Sequence, residues 1–438
     1  MRNNKNSGNT TFGFSLLTFP LNILIWQLAL RYLRGKRSAN AVPVLSRISM
    51  VAIAVSSGAM IIIFSVFNGL ESIVKDMYKA FYPEIRITVA RGKFFPMDSA
   101  GIQAIKNIKG VENVTTVLED NVFAINNNQE SIISLKGIDN NYFKVNDVLD
   151  YLVQGDSTVT VGQPLTDTSK ASPGTAIVGR HIMNELGTDV HTLSYITLCY
   201  TNPDVINPAL NPTSAYQTLT LHPAGVFAIG DEFDSKYVLA PLPLVQRLFS
   251  AEKKFSSIEI KADAGAAPEI QKHLQSLLGN NFKVEKRYEQ NKTMYMVMGS
   301  EKWAIYAILV LVLIIASFNM VGALSMLVLE KQKDIAILKA MGAFPETIRR
   351  IFLLEGVLWA LTGGLTGLLL GTGIGLLQQR FGFIKLVGSS FAVEAYPVEF
   401  HFKDFVLVII TILVVGLLAA WYPSIRATKA VDPSLKSA

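Results

Sequence analysis

The sequence predicts an α-helical membrane protein with four transmembrane helices and a large extracytoplasmic α+β domain. Four apolar runs of 23, 27, 24 and 21 residues contain no charged residue. Each run exceeds the roughly 20 residues of helix that cross a hydrocarbon core. The second observation is a polar block from Glu71 to Ser300, which is long enough for one or two domains with their own core. The four runs are Ile48 to Leu70, Trp303 to Leu329, Gly356 to Gln379 and Phe405 to Ile425.

The distribution of charge predicts the orientation of the chain. Residues 71–300 hold 21 Lys and Arg against 25 Asp and Glu, whereas the remaining residues hold 19 against 9. By the positive-inside rule, both termini and the segment 330–350 lie in the cytoplasm, and residues 71–300 lie outside. Because the soluble block is acidic, the charge argues against nucleic acid as a partner and for contacts with membrane lipids.

The N-terminal part before the first run has two interpretations. Residues 1–20 are expected to be disordered, and 21–42 to form an interfacial helix whose cations contact anionic headgroups. The uncharged stretch 12–30 leaves a fifth span as the alternative.

Strand-like alternation and helical periodicity predict the α+β character of the polar block. Its first part, 73–140, and its last part, 251–300, both show strand–helix–strand order and are expected to form one subdomain. An insertion, 141–250, interrupts it. The predicted strands are 83–89, 111–125, 131–137, 195–200, 216–221, 256–261 and 282–285, and the predicted helices are 100–108 and 267–278.

A proline-rich segment lies inside the insertion. Residues 201–212 contain three prolines and three asparagines, which prevent regular strand pairing and predict a projecting loop. The loop is either an ordinary surface loop or a protrusion that binds a partner. The residues assigned to it are Pro203, Pro208, Leu210 and Pro212.

Two of the apolar runs carry further patterns. Bulky, flexible side chains in the first run serve either for packing or as the wall of an adaptable apolar cavity. In the third run, glycines recur at intervals of four, which predicts close packing against another helix. These glycines are Gly363, Gly367, Gly371 and Gly375.

The segment between the second and third runs is amphipathic. Its apolar and charged residues alternate at helical spacing, which predicts a short helix at a surface. Gly342 ends this helix, and Pro345 begins the next one. The residues assigned to this surface are Glu330, Lys331, Asp334, Ile335, Ile337, Leu338, Lys339, Met341 and Gly342.

Signatures of catalysis are absent from the sequence. It contains no G-x-x-x-x-G-K-[ST] phosphate loop, no G-x-S-x-G elbow and no H-E-x-x-H pair. The five histidines lack ligand-like spacing, and Cys199 is the only cysteine, so neither a metal site nor an internal disulfide is predicted. The four apolar runs hold no carboxylate or lysine for proton coupling. Energy for any transport must therefore come from another protein.

These residues resemble a known family. Residues 330–343 (EKQKDIAILKAMGA) and 348–356 are similar to the FtsX-type permease segment of ABC transporters. Other stretches resemble lipoprotein-releasing (Lol-type) permeases of the FtsX/MacB-like superfamily, so that the resemblance covers about residues 21–432. These stretches are 28–37, 46–53, 64–71, 225–234 and 422–427.

The resemblance implies an organisation with a periplasmic domain of porter and sabre parts. It implies a bacterial inner membrane protein with both termini in the cytoplasm. The expected boundaries are 43–72 for transmembrane helix 1, 73–300 for the periplasmic domain (porter-like 73–140 and 251–300, sabre-like 141–250), 301–329 for helix 2, 330–350 for the coupling helix, 351–380 for helix 3, 381–403 for a periplasmic loop, 404–425 for helix 4 and 426–438 for a cytoplasmic tail.

The resemblance also implies the activity and the partners. Family members extract lipoproteins from the outer leaflet and pass them to a periplasmic carrier. The chain itself is expected to bind no cofactor and to catalyse nothing, while a cytosolic ABC ATPase dimer binds ATP and Mg²⁺ and couples through the helix around Ile337. Two permease subunits, identical or paralogous, work together. The proline-rich loop is the hypothetical carrier-binding site, and the hypothetical lipoprotein cavity consists of Met60, Phe64, Phe67, Phe318 and Met320.

Two alternatives remain open. One is a MacB-like efflux or mechanotransmission permease, although such proteins usually carry an ATPase in the same chain. The other is an FtsX-like permease that controls a cell-wall hydrolase, although its outer domain is usually much smaller. A separate ATPase together with a lipoprotein carrier would favour lipoprotein release over both.

Overall fold

A computed structural model describes residues 42–127, 129–162, 173–192, 194–201, 216–263, 265–385 and 395–429. The chain divides into two compact units. The helix unit contains residues up to Leu70, Met298–Ile384 and those from Ala395 on, whereas the sheet unit contains chiefly Glu71–Val297. Apart from Val42, the predicted interfacial helix lies outside the described residues. The predicted carrier-binding residues Pro203, Pro208, Leu210 and Pro212 also lie outside them.

Twelve α-helices occur in the described residues. They are α1 (Val42–Phe81), α2 (Ser99–Lys106), α3 (Tyr142–Val145), α4 (Arg180–Glu185), α5 (Asp231–Asp234), α6 (Leu242–Leu248), α7 (Ala267–Leu278), α8 (Arg287–Gln290), α9 (Lys292–Glu330), α10 (Gln332–Ala340), α11 (Pro345–Phe381) and α12 (Phe402–Lys429).

Four of these helices, α1, α9, α11 and α12, are long and apolar enough to cross a membrane. This number confirms the four predicted spans. The helices continue beyond the uncharged runs, because a helix needs no apolar residues once it leaves the hydrocarbon. As a result α11 includes Glu355, which is fully buried, and α12 includes Asp404, which is 5% exposed. Both carboxylates lie directly before the uncharged runs Gly356 to Gln379 and Phe405 to Ile425, which themselves hold none.

The sheet unit is built on one sheet of ten strands. The strand order is β12-β1-β11-β3-β4-β9-β6-β8-β5, and β7 pairs with β3 and β8. A separate ribbon joins β2 and β10. The strands are β1 (Ile85–Val89), β2 (Phe95–Pro96), β3 (Val111–Asn126), β4 (Gln129–Ile138), β5 (Leu152–Gly155), β6 (Gly174–Gly179), β7 (Ile196–Thr201), β8 (Tyr216–Phe227), β9 (Tyr237–Pro241), β10 (Lys254–Phe255), β11 (Ser257–Ala262) and β12 (Phe282–Lys286).

All seven strands predicted from alternation are present. The sheet continues from the flanking parts into the insertion, because β9 pairs in parallel with β4. The helices α2 and α7 cover one face and contribute Ile105, Ile270 and Leu274 to the core. On β1 and β11, apolar side chains such as Ile87 and Ile260 are fully buried.

In the helix unit, Gly363, Gly367 and Gly371 of the α11 stripe face α1, whereas Gly375 faces Phe400. A Cβ atom added at Gly363 would lie 2.6 Å from the carbonyl oxygen of Met50, and one added at Gly371 would lie 2.7 Å from that of Gly58. Real Cβ atoms do not approach this closely, so only glycine permits this backbone contact. The structure thus places three of the four glycines at a helix–helix contact within the chain.

Candidate functional site

The short helix α10 connects α9 to α11. Its C-terminus is closed by Gly342, whose φ of +86° is a left-handed conformation that suits glycine. The amide of Gly342 donates to the carbonyl of Lys339, and that of Ala343 donates to the carbonyl of Leu338. Phe344 then precedes α11, which has a proline at its first turn. A helix of nine residues is thereby fixed between two turns.

One side of α10 is anchored to the helix unit. Ile335 is 2% exposed and belongs to the same apolar cluster as Ile348 and Ala427. The Lys339 ammonium donates to the carbonyl of Thr428 in α12, at 3.2 Å. Lys331 and Asp334 form an ion pair of 3.3 Å on the first turn. These contacts hold α10 to the ends of the long helices.

The opposite side of α10 and the turn after it expose apolar side chains. Ile337 is 59% exposed, Met341 is 78% exposed and Phe344 is 74% exposed. Polar and charged residues, Gln332, Lys333 and Glu346, lie around them and are also exposed. Large exposed apolar side chains beside charges are typical of a docking surface. We call Ile337, Met341 and Phe344 the coupling face.

The residues that the sequence assigned to this surface thus fall into an exposed group and a buried or half-buried group. Ile337 and Met341 are on the coupling face, whereas Ile335 points into the helix unit. Leu338 and Lys339 are half-buried. Sequence reasoning missed Phe344 as a surface residue, although an aromatic residue directly before the proline of a helix start was a usable signal.

The five residues of the hypothetical lipoprotein cavity do not share one surface. Met60, Phe64 and Met320 are fully buried in one apolar cluster of the helix unit. Phe67 is half-buried, and Phe318 is 66% exposed. The ring of Phe64 stacks on Tyr306 of α9 with a centroid distance of 6.1 Å. In this conformation three of the five positions are therefore closed by neighbouring side chains.

A buried polar cluster lies next to Phe64, at the end of α9 away from α10. The ammonium of Lys302 in α9 lies 3.3 Å from the Asp404 carboxylate in α12 and donates to the side-chain oxygen of Asn68 in α1 at 2.8 Å. The Asn68 amide donates to Asp404 at 2.6 Å. The ammonium also lies 6.0 Å from the centre of the Phe64 ring. We call Asn68, Lys302 and Asp404 the three-helix cluster.

Four apolar helices, a large sheet unit inserted after the first of them and a short surface helix between the second and third are the arrangement of a membrane permease subunit. The chain belongs to the family of proteins with a MacB-like periplasmic core domain, whose model matches residues 46–277. Residues 306–431 match the model of the FtsX-like permease C-terminal domain.

Relatives of nearly the same length match almost the whole chain. The chain is 26% identical over 425 residues to the lipoprotein-releasing system transmembrane protein LolE of Haemophilus influenzae, covering 91% of this chain and 95% of that protein. It is 24% identical over 422 residues to the lipoprotein-releasing system transmembrane protein LolC of Neisseria meningitidis, covering 92% of this chain and 96% of that protein. The periplasmic region of MacB from Actinobacillus actinomycetemcomitans aligns with 51% of this chain at a TM-score of 0.33 and 13% identity.

These matches confirm the resemblance to lipoprotein-releasing permeases of the FtsX/MacB-like type. They also confirm the fold class, four transmembrane helices with an α+β domain of periplasmic type. The chain is thus a membrane protein of the ABC permease class.

Proposed function

We propose that this chain is the permease subunit of an ABC transporter that extracts lipoproteins from the outer leaflet of the bacterial inner membrane. It passes them to a periplasmic carrier. A separate cytosolic ATPase dimer binds ATP and Mg²⁺ and drives the movement, and two permease subunits, identical or paralogous, form the membrane part. The proposal is supported by the names of the relatives and by the coupling face.

The orientation follows from charge. The segment with α10 is rich in Lys and Arg, and so are the flanks of the other membrane helices on that side. The positive-inside rule places this side, with both termini, in the cytoplasm and the sheet unit in the periplasm. The coupling face then meets the cytosol, where an ATPase can reach it.

The coupling face is the observation that carries the proposal. Ile337, Met341 and Phe344 expose apolar area beside charged residues, while Ile335 and Lys339 fix α10 to the long helices. Burying an exposed side chain of this size contributes about 1.5–3 kcal/mol. Two or three such residues are enough for specific docking, and the anchored side transmits the resulting movement to α9 and α11.

Co-purification of the partner ATPase tests the docking. We expect Ile337→Asp and Met341→Asp to weaken ATPase binding at least about tenfold, because each loses more than about 1.4 kcal/mol of apolar burial. The control is Lys333→Asp, which changes charge on the same helix but removes no exposed apolar side chain. Equal retention of the ATPase by Ile337→Asp and wild type would contradict the proposal.

Photo-crosslinking tests the cargo. Acyl chains need an apolar environment, and the cluster around Phe64 and Met320 is the candidate if α9 separates from its neighbours. A photoreactive residue at position 64 is expected to crosslink to an acylated lipoprotein in the assembled complex. A photoreactive residue at position 318, which is exposed, should crosslink mainly to lipid. Lipoprotein adducts at 318 and none at 64 would contradict this cavity.

A further inference from the structure

Three of the membrane helices are joined by small residues. A Cβ added at Gly58 of α1 would lie 3.0 Å from the carbonyl oxygen of Gly367 in α11. A Cβ added at Gly356 of α11 would lie 2.5 Å from the Cβ of Ala420 in α12. Backbones in such contact gain dispersion energy over their whole length. The helices α1, α11 and α12 therefore form a block in which small shifts are costly.

The helix α9 is attached to this block in a different way. A Cβ added at Gly322 would meet no atom within 4 Å. The buried fraction of its apolar stretch is 33%, against 39–44% for the other three long helices. Several of its contacts use long side chains, for example Leu324, which reaches Gly356. Side-chain contacts can be exchanged one at a time, so α9 is the helix that can move against the block.

At the end away from α10, polar groups hold α9 in place. Lys302 is bound by Asn68 and Asp404 of the block, as described above. One helical turn further along, the Tyr306 hydroxyl forms a hydrogen bond of 2.8 Å with Thr411. Charged groups within a membrane helix bundle are costly unless they are paired, so these partners strongly favour one position of α9.

The other end of α9 leads directly to the coupling face. Only Lys331 separates the last residue of α9, Glu330, from α10. A displacement of α10 must therefore move α9 or bend the chain at Lys331. If α9 moves away from α1 at Phe64, the hydrogen bond between Lys302 and Asn68 must break.

We propose that the three-helix cluster is a latch that closes the seam between α1 and α9. When it opens, Lys302 leaves Asn68, the Phe64–Tyr306 stack separates and the buried apolar cluster below becomes accessible to acyl chains. Asn68 and Lys302 act as positioning residues for the seam and do not touch the site of ATP hydrolysis. This role in admitting cargo rests on the proposed function, whereas the closing of the seam does not.

Distances between spin labels at Ile63 of α1 and Ile308 of α9 test the latch in the full-length protein in lipid nanodiscs. Both positions are exposed, at 39% and 62%. Cys199 is replaced by Ser in every variant. With Lys302 and Asp404 intact we expect one narrow distance distribution. Lys302→Met and Asp404→Asn should each add a population at longer distance.

The charge-swapped double variant, Lys302→Asp with Asp404→Lys, separates a latch from mere disturbance of the fold. Restoration of most of the short-distance population supports the latch, because Asn68 can donate to either carboxylate and accept from either ammonium. Glu301→Gln removes the neighbouring exposed charge and should leave the distribution unchanged. Unchanged distances in Lys302→Met, or a double variant no better than the single ones, would overturn the latch.

Assays of the complex distinguish failure of the latch from failure of the proposed function. If the wild-type complex releases lipoprotein but the distances do not respond to Lys302→Met, only the latch is wrong. If the distances respond and the wild-type complex releases no lipoprotein, the latch stands and the cargo assignment is wrong. If the distances respond to Lys302→Met and the wild-type complex releases lipoprotein, we expect Lys302→Met to increase ATP hydrolysis in the absence of cargo at least twofold.

Discussion

The sheet unit and the helix unit each contain a cluster of a lysine, a carboxylate and an asparagine. In the sheet unit, Lys136 lies 2.9 Å from Glu259, and the Asn146 amide donates to Glu259 at 2.6 Å. The Lys136 ammonium also lies 4.9 Å from the centre of the Tyr142 ring. In chemical composition this cluster closely matches the three-helix cluster around Lys302.

The two clusters differ in what surrounds them. Lys136 is in β4 and Glu259 is in β11, and both strands are hydrogen-bonded to β3, so the backbone fixes their separation. Their side chains are 2% and 0% exposed. Lys302 and Asp404 are on separate helices without such a ladder, and the Lys302 side chain is 29% exposed. The strand ladder thus fixes the distance between lysine and carboxylate in the sheet unit. No such ladder fixes it between the two helices of the helix unit.

The greatest loss of stability is expected where α11 packs against α1, within the block of α1, α11 and α12. Gly367→Leu would place a side chain against the backbone of Ala54 and the hydroxyl of Ser57. We expect a loss of stability above the roughly 3 kcal/mol typical of overpacking, because backbone atoms cannot yield. Gly373→Leu is the matched control, since a Cβ there meets no atom within 4 Å. The stability of the two variants is measured by size-exclusion chromatography after detergent extraction and heating. Equal profiles for Gly367→Leu and Gly373→Leu would show that the block is not tightly packed.

The second-largest loss of stability is expected at the cluster of Lys136, Glu259 and Asn146 in the sheet unit. Lys136→Met leaves the buried Glu259 carboxylate without its cation, which costs about 3–5 kcal/mol. Thermal unfolding of the full-length protein in detergent should show a clearly lower midpoint. Lys93, 72% exposed and paired with Asp120, provides the control, because Lys93→Met should change stability by less than about 1 kcal/mol. Similar midpoints for the two variants would contradict the structural role of Lys136.

The three-helix cluster should contribute less to stability than the cluster in the sheet unit. Lys302→Met leaves the Asp404 carboxylate without its cation, but the Lys302 side chain is 29% exposed, so water can reach the site and the loss should stay below the about 3–5 kcal/mol of a fully buried pair. The midpoint should therefore fall less than for Lys136→Met in the same unfolding assay. A larger fall would mean that the three-helix cluster is a permanent structural element and not a latch.

The smallest expected effect depends on pH and on Glu119, which lies beside Lys136. Burial alone would raise the pKa of Glu119, but Lys136 and Arg86 outweigh it and hold the pKa below its ordinary value of 4.5. A carboxyl group with a lowered pKa stabilises the fold above the unfolded pKa, and this contribution is lost as the pH falls through the folded pKa.

Thermal unfolding midpoints from about pH 7 down to about pH 3 measure this dependence. We expect wild type to lose stability below about pH 4.5 more steeply than Glu119→Gln, which has no carboxyl group to titrate. The control is Glu112→Gln, an exposed carboxyl group on the same strand. Parallel curves for wild type and Glu119→Gln would show that the ion pairs around Lys136 do not set the pKa of Glu119.

The sequence predicted most elements because their signals are local. Uncharged runs locate the four membrane helices, and alternation locates the strands of the sheet. The sequence could not predict the burial of Lys136, because alternation in β4 suggests a solvent-facing side chain. It is buried because α3 and the end of α1 cover that face of the sheet.

The candidate site was predictable only in part. The amphipathic pattern identified α10, but it could not determine which of Ile335 and Ile337 faces outward, since that depends on the packing of α10 against α12. The three-helix cluster joins residues that are far apart in the sequence: 336 positions separate Asn68 from Asp404, and Lys302 lies between them. Only the fold brings these residues together. Each residue alone looked like an ordinary polar residue at the end of a span.

We propose that ATP-driven movement of the coupling face releases lipoprotein through this chain. The most direct test reconstitutes the permease, its ATPase and a radiolabelled triacylated lipoprotein in proteoliposomes and measures label transferred to soluble carrier. We predict ATP-dependent transfer that Ile337→Asp strongly reduces and Lys333→Asp retains. Transfer that is independent of ATP, or that persists in Ile337→Asp at the wild-type rate, would contradict the claim.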